Sequence, residues 1–318
     1  MPVVGIDVAK RTFEAAFLQD GKWQCHSLPN SPAGFRRLQR LLKESHHICL
    51  EATGRLGRSL ALSLFEAGHV VSVVNPLRVQ RYAESRLRRT KTDKADAILL
   101  AEFCDREDPR PWKPLPEEVE ELRELIRRRE HVLSMRQMER NRLLAGPLSA
   151  AVEASIQRSL AFWAEELEVV ESAIEQLFEH HEKMRLQREL LKTIPGIGPV
   201  SASILLAEIG DISEFSHAKQ LSSFAGLAPR EHSSGTSVRG RAGIAKMGNP
   251  RMRRVLYMAA LSARRSNPVI QTFTERLAAQ KPYKVVHVAA MRKLLHIVYG
   301  VLTRQQPFDP DPKYSAAV

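Results

Sequence analysis

Four acidic side chains stand where an acid is costly unless something neutralises it. Asp7 lies in Gly5-Ile6-Asp7-Val8-Ala9-Lys10, within or at the end of an apolar run, and a charge buried there carries a large desolvation cost. Glu51 repeats the pattern, after Ile48-Cys49-Leu50 and before Ala52-Thr53-Gly54. Asp93 and Asp96 are spaced i, i+3 in Lys91-Thr92-Asp93-Lys94-Ala95-Asp96-Ala97, so on a helix both project from one face. Four hard oxygen donors at one place repel one another without a cation. Mg²⁺ accepts such ligands and keeps open positions for phosphate oxygens. A pair of ions about 3.5–4 Å apart can activate an attacking oxygen and stabilise a leaving one. Each acid alone has a plain structural alternative: Asp93 can N-cap its helix, Asp96 can sit on a solvated face, Glu51 can pair with an arginine. Two acids closing apolar strands, together with the DxxD helix, favour the metal centre.

The elements that must position these acids are legible from apolar period and from Gly and Pro stops. Val3–Val8 reads as a strand, with Thr12–Leu18 and Lys22–Leu28 as hairpin partners. Asn30-Ser31-Pro32 caps a helix to about Lys43, His47–Leu50 is a buried strand, Arg55–Ala67 a helix and Val70–Val74 a further strand. Helices follow at about 76–85 and 92–105. Three strands and then αβαβα predict a mixed sheet flanked by helices. If the first and fourth strands are neighbours, Asp7 and Glu51 lie side by side, and the last helix brings Asp93 and Asp96. The basic run Arg86-Leu87-Arg88-Arg89-Thr90-Lys91 leads straight into the DxxD and can hold a nucleic-acid backbone.

Beyond this region the pattern changes. Residues 113–188 are helical. Ile156, Leu160, Trp163, Leu167, Val170, Ile174 and Leu177 form an a/d seam, as a coiled coil or a long antiparallel hairpin requires, and Gly146-Pro147 marks the turn before it. In Thr193-Ile194-Pro195-Gly196-Ile197-Gly198-Pro199 the glycines match a helix-hairpin-helix turn, whose backbone N–H groups can hold a phosphate. Between Pro229 and Arg254, Arg230, Arg239, Arg241, Lys246, Arg251, Arg253 and Arg254 face a single acid, Glu231, and the stretch also carries Asn249 in Gly248-Asn249-Pro250. Ser233-Ser234-Gly235-Thr236-Ser237 sets hydroxyls among these arginines. A hydroxyl so placed can attack a phosphate, because the cations neutralise the diester. Tyr257 is a rival hydroxyl, on a helix where core packing is its alternative role.

Composition agrees with a polyanionic partner. The chain of 318 residues carries 48 Lys+Arg against 36 Asp+Glu, a net charge of +12, and nucleic acid is the commonest polyanion for such a protein. Cys25, Cys49 and Cys104 are odd in number and far apart, which excludes a disulfide framework or a CxxC zinc site. The sequence starts on a strand-like run without a signal-type leader, and no stretch reads as the ~18 apolar residues of a membrane span. A cytoplasmic protein with no membrane partner is expected.

Taken together, these motifs resemble one family. Gly5-Ile6-Asp7-Val8-Ala9-Lys10, Glu51-Ala52-Thr53-Gly54 and Lys91-Thr92-Asp93-Lys94-Ala95-Asp96-Ala97 resemble the N-terminal half of the DEDD transposases of bacterial insertion sequences. Pro195-Gly196-Ile197-Gly198, Phe224-Ala225-Gly226-Leu227-Ala228-Pro229, Ser234-Gly235, Lys246-Met247-Gly248-Asn249, Arg253-Arg254-Val255-Leu256-Tyr257 and Met291-Arg292-Lys293-Leu294-Leu295 resemble the C-terminal half, in the same order. The resemblance implies an α/β plus all-α protein. A RuvC-like (RNase H-type) mixed-sheet domain at 1–112 would precede a coiled-coil helical segment at 113–188. A mainly α transposase domain at 189–304, with the helix-hairpin-helix turn, and a disordered tail at 305–318 would follow. It implies a recombinase guided by a structured bridge RNA that pairs with donor and target DNA. Asp7, Glu51, Asp93 and Asp96 would bind Mg²⁺, and a serine would form a covalent intermediate with DNA. That serine is Ser234, for its place before Gly235, with Ser233 the alternative. Arg86, Arg88, Arg89, Lys91, Gly196, Gly198, Arg239, Arg241, Lys246, Asn249, Arg251, Arg253 and Arg254 would hold nucleic acid. The resemblance also implies a dimer or tetramer with sites formed between subunits. The rival functions are a structure-specific endonuclease using metal-activated water and a nucleic-acid-binding protein without catalysis.

Overall fold

The computed structural model describes residues 1–52, 54–87, 92–230, 233–234, 238–239, 243–244 and 247–310. The chain divides into two compact units, Met1–Pro114 and Leu115–Val318.

The first unit is built on a five-stranded mixed sheet. Its strands are β1 (Val3–Val8), β2 (Thr12–Gln19), β3 (Lys22–Pro29), β4 (His47–Glu51) and β5 (Val70–Val74), in the order β3-β2-β1-β4-β5. β1, β2 and β3 form an antiparallel meander, whereas β4 and β5 run parallel to β1. Parallel neighbours need a crossover, and helices supply each one: α1 (Pro32–Leu41) leads to β4 and α2 (Arg55–Glu66) to β5. Strand order and senses are those of a RuvC-like, RNase H-type domain. Because side chains alternate along a strand, β1 sends Val4, Ile6 and Val8 into a core with Phe35 and Leu38 of α1 and Leu60 and Leu64 of α2. Gly5 and Asp7 face the other way, beneath α4 (Asp93–Glu107), which follows α3 (Pro76–Ser85). On that side Cys49, Val74, Val79, Leu100, Phe103 and Cys104 form a second, smaller core. The outer edge of β5 is covered, since Trp112 donates its backbone N–H to Val71 O at 2.7 Å.

The second unit is helical. Its first helices, α5 (Glu117–Leu144) and α6 (Ala150–His180), form an antiparallel hairpin across Gly146-Pro147, tied by Arg128–Glu166 and Arg129–Glu171 ion pairs, both 2.6 Å. Four seam residues, Ile156, Val170, Ile174 and Leu177, are buried. The seam runs into one core with the helices that follow: α7 (Glu182–Lys192), α8 (Pro199–Ile209), α9 (Ala218–Phe224), α10 (Pro250–Ser266), α11 (Pro268–Ala278) and α12 (Tyr283–Arg304). So residues 115–188 and 189–304 line the same apolar interior. Against the expectation from sequence, α12 is long and apolar enough to cross a membrane by length and composition alone. Here its Val286, Ala290, Leu294, Leu295 and Val298 are buried at the centre of the core. Of the tail, Phe308 packs against this core and its N–H donates to Thr193 Oγ1 at 2.8 Å. Residues 311–318, included in the expected disordered tail, lie outside the described residues.

Candidate active site

The acids are positioned first by strand register. Asp7 pairs directly with Glu14 of β2. On the other flank Val3, Val4, Gly5 and Ile6 pair with His47, Ile48, Cys49 and Leu50, and the same register carried one residue on sets Asp7 beside Glu51. Directly opposed residues share a sheet face. A row of three carboxylates, Glu14, Asp7 and Glu51, therefore crosses three neighbouring strands on the face covered by α4.

What places α4 is Gly5. A Cβ built there would stand 2.0 Å from Ala97 O and 2.2 Å from Ala101 N, so only glycine admits the helix backbone this close to the strand. The direction of α4 follows from its far end, where Cys104 Sγ contacts His47 O at 3.5 Å. His47 opens β4, whereas Glu51 closes it. The first turn of α4, with Asp93 and Asp96, therefore lies toward the Asp7 and Glu51 end of the sheet. Thr92 is the N-cap, its Oγ1 accepting from Ala95 N at 3.2 Å, so capping is not the role of Asp93. Asp93 is exposed, and Asp7, Glu51 and Asp96 are half-buried.

A further clasp joins the segments behind Asp7 and Glu51. Asn30 Nδ2 donates to Ala9 O at 3.0 Å and to Leu56 O at 3.1 Å, tying the loop after β1 to the first turn of α2. Neither side chain is expected at the site from sequence: Asn30 reads as part of the Asn30-Ser31-Pro32 helix cap, where Ser31 is the N-cap, and Glu14 is not singled out. Only the register reveals Glu14, whose Oε2 is buried without a hydrogen-bond partner among the described residues.

The donor set, four hard carboxylates at the C-terminal ends of β1 and β4 and the start of α4, fits a hard divalent cation in chemistry. The side chains are not drawn into a cage: among the described residues no group of three or more His, Cys, Asp or Glu is arranged to hold a metal ion. The buried thiols lie further along the same sheet face, Cys49 in the middle of β4 and Cys104 near the end of α4. Cys49 is held well above the usual thiol range by its contact with Cys104 and by burial. Cys104, bonded by Cys49 and His47, is lowered to about 6. These groups belong to the small core, and all three cysteines are free.

In the second unit the candidate nucleophile lies on a hairpin. Short strands β6 (Pro229–Arg230) and β9 (Gly243–Ile244) pair, and inside them β7 (Ser233–Ser234) pairs with β8 (Val238–Arg239). Ser234 pairs with Val238 and Ser233 with Arg239 across the inner ladder.

The expected nucleic-acid residues divide into several groups. Arg86 is exposed at the end of α3 and stacks over Tyr82, 5.4 Å from the ring centre. Arg88, Arg89, Lys91, Arg241 and Lys246 lie outside the described residues. Gly198 opens α8 at the surface, whereas Gly196, at φ +101°, is packed against Ala263 of α10. Asn249 caps α10, accepting from Arg251 N and Met252 N, and its Nδ2 donates to buried Glu208 at 2.5 Å. Arg251 Nε pairs with Glu130 at 2.8 Å. Arg253 donates to Ala225 O at 3.0 Å. These three side chains hold the N-terminus of α10 in place, while Arg254 is exposed beside Glu130 at 3.5 Å.

A transposase model for DEDD proteins of the IS110 type matches residues 4–146, and one described as Transposase IS116/IS110/IS902 family matches residues 188–275. The pilin gene-inverting proteins of Moraxella bovis and Moraxella lacunata are each 37% identical over 314 residues, covering 96% of this chain and 97% of theirs. The transposase for insertion sequence element IS1328 of Yersinia enterocolitica is 26% identical over 228 residues, 63% of this chain and 66% of that one. Among solved structures, T. thermophilus RuvC in complex with Holliday junction substrate aligns with 35% of this chain and 99% of that chain. Its identity is 16% and its TM-score 0.27, too low to add to the strand order given above. With both family segments present in order and full-length relatives at this identity, the chain belongs to the IS116/IS110/IS902 family of transposases.

Proposed function

We propose that the chain is the DNA recombinase of a bacterial insertion sequence, cutting and rejoining strands through a phosphoserine link made by Ser234. The observation that carries this reading is the register that sets Asp7 beside Glu51, with the Asp93 and Asp96 turn of α4 toward the same end of the sheet, in a chain of the transposase family. Asp7, Glu51, Asp93 and Asp96 would hold Mg²⁺. When bound, the ion supplies positive charge to the phosphate oxygens as negative charge builds on them. Ser234 Oγ forms the bond to phosphorus as a bridging P–O bond breaks, and the freed strand end leaves as the hydroxyl. A second strand end reverses the step, attacking the phosphoserine and releasing Ser234. The diester's energy is kept in the covalent link, so rejoining needs no ATP. A gene-inverting relative supports rejoining over plain hydrolysis, because an inverted segment must be resealed at both ends. Arg86, Arg88, Arg89, Lys91, Arg239, Arg241, Lys246 and Arg254 would hold nucleic-acid backbone.

A structured bridge RNA, pairing with donor and target DNA, would choose the sites, and the active form would be a dimer or tetramer. Both follow from the family resemblance. Sequencing of RNA that co-purifies with the protein checks the first; featureless bulk RNA counts against it.

The mechanism is tested with Ser234→Ala. The variant is expected to lose both the covalent protein–DNA adduct, seen as a shifted band on denaturing gels, and strand cleavage. Unimpaired cleavage would favour a nuclease that uses water. Asp7→Asn in the same assay is expected to bind DNA normally and cut at least ~100-fold more slowly, on the scale of losing an electrostatic stabiliser of the transition state. An unchanged rate would remove the acids from the chemistry.

A further inference from the structure

The C-terminal half of α10, the end of α11 and the start of α12 enclose a cleft of about 360 Å³, at the low end of ligand-pocket volumes. Leu261 and Ala278 give it apolar walls, the Tyr283 ring a flat surface, Arg264 and Arg265 two cations, and Glu275 an acceptor. We propose that this cleft takes an unpaired nucleotide of single-stranded DNA, the base against Tyr283 and the flanking phosphates on Arg264 and Arg265.

The shape of the aromatic cluster supports a stacking surface. Tyr283 and Tyr257 remain 57% and 46% exposed, yet both rings are fixed from below by His287, itself 1% exposed. His287 lies parallel to Tyr283, at 2° and 6.0 Å between ring centres, and edge-on to Tyr257 at 4.4 Å. Its Nε2 donates to Tyr257 O at 3.2 Å, and its Nδ1 is buried without a partner among the described residues. A buried imidazole with an unsatisfied nitrogen is a costly way to floor a surface of no use. Rings held in place before binding lose little freedom when a base lands on them, and stacking on an aromatic side chain is the common currency of single-strand recognition.

Charge points to the same occupant. Arg264 lies over Tyr283 at 4.9 Å from the ring centre, so a base that takes this ring face displaces the guanidinium toward the flanking phosphate. Lys281 and Lys284 flank Tyr283 and are exposed, as is Arg265. Glu275 is the one acid lining the cleft. A carboxylate amid cations suits the exocyclic amine of a base, while the arginines suit phosphate. A duplex buries its base faces and cannot use the ring. Strands are unpaired whenever ends are exchanged, so the inference rests on the recombinase reading and names where that reading's loose strand is held.

The test uses the full-length protein with a fluorescein-labelled single-stranded deoxyoligonucleotide, the matching duplex and an RNA of the same sequence. Tyr283→Ala is expected to weaken single-stranded binding ~10-fold, the scale of one lost stacking contact, and to leave duplex binding unchanged. Tyr283→Phe, which keeps the ring, is expected to bind like the parent. A 2-aminopurine base in the oligonucleotide is expected to be quenched by the parent and the Phe variant and not by the Ala variant. Equal losses on single strand and duplex, equal losses for Ala and Phe, or no loss would overturn the proposal. Tighter binding of the RNA than of the DNA would overturn the choice of DNA. Ser234→Ala is expected to bind the single strand normally. Loss of cleavage chemistry and loss of this site are thus read separately.

Discussion

At the scale of single residues, the site depends on an absent side chain as much as on the acids. Gly5 lets the backbone of α4 reach β1, and any Cβ there meets backbone atoms that no rotamer change can move. Gly5→Ala is expected to destabilise the protein by ~1–3 kcal/mol, the usual cost of overpacking, read as a lower urea midpoint with an unchanged slope. An unchanged midpoint would mean that α4 is not held to the strand there. The acids were legible in sequence because a charge closing an apolar run is conspicuous. Glu14 and Asn30 were not, since each looks ordinary until the fold opposes Glu14 to Asp7 and lets Asn30 bridge Ala9 and Leu56. The reverse also happened. Arg251 and Arg253, expected to hold phosphate from charge and from the family resemblance, also bond to Glu130 and to Ala225 O. Charge counting cannot tell an arginine committed within the protein from an available one.

At the scale of elements, boundaries followed local chemistry closely. Val70–Val74 and Pro76–Ser85 fall where the apolar run and Asn75-Pro76 place them, because those signals act over a few residues. Strand order was open, because it depends on pairing between segments about forty residues apart. The two forms of the α5 and α6 seam were likewise left open, and ion pairs across the turn decide for the antiparallel hairpin. The starting angle of α10 is fixed by Asn249, which caps the helix and satisfies Glu208 together. Asn249→Ala removes a cap worth ~1 kcal/mol and leaves a buried carboxylate oxygen short of a donor. A loss of ~1–3 kcal/mol in chemical denaturation is expected. Asn249→Asp, which keeps the cap acceptor but sets a second carboxylate against Glu208, is expected to lose at least as much, and a neutral outcome would show that Glu208 is satisfied elsewhere.

For the molecule as a whole, histidines shifted by burial contribute to the response to acid. Burial lowers His69 and His287 below the ordinary imidazole range, and His296 falls to about 4 through burial and the nearby Arg292, Lys293 and Lys219. His47 is raised, chiefly by its bond with Cys104. A histidine depressed in the folded state binds protons more readily when unfolded. The stability that His296 contributes is therefore complete above about pH 6.5 and is lost as pH falls toward 4. His296→Gln is expected to lose less melting temperature than the parent between pH 7.5 and pH 5, measured by circular dichroism. Equal losses would show that His296 is not held neutral. Order of synthesis gives the central strand one more consequence. β1 leaves the ribosome just ahead of β2 and β3 and can pair with them in a short-range meander that forms readily. Its parallel flank must wait for β4 and β5, and the helix that seats on Gly5 ends only at Glu107. Asp7 is thus made well before Asp93 and Asp96, which join it only once most of the unit has emerged. A nascent or truncated chain carries a folded meander with Asp7 and Glu14 but without Glu51, Asp93 and Asp96. The capacity to gather all four acids arises only with the nearly finished domain.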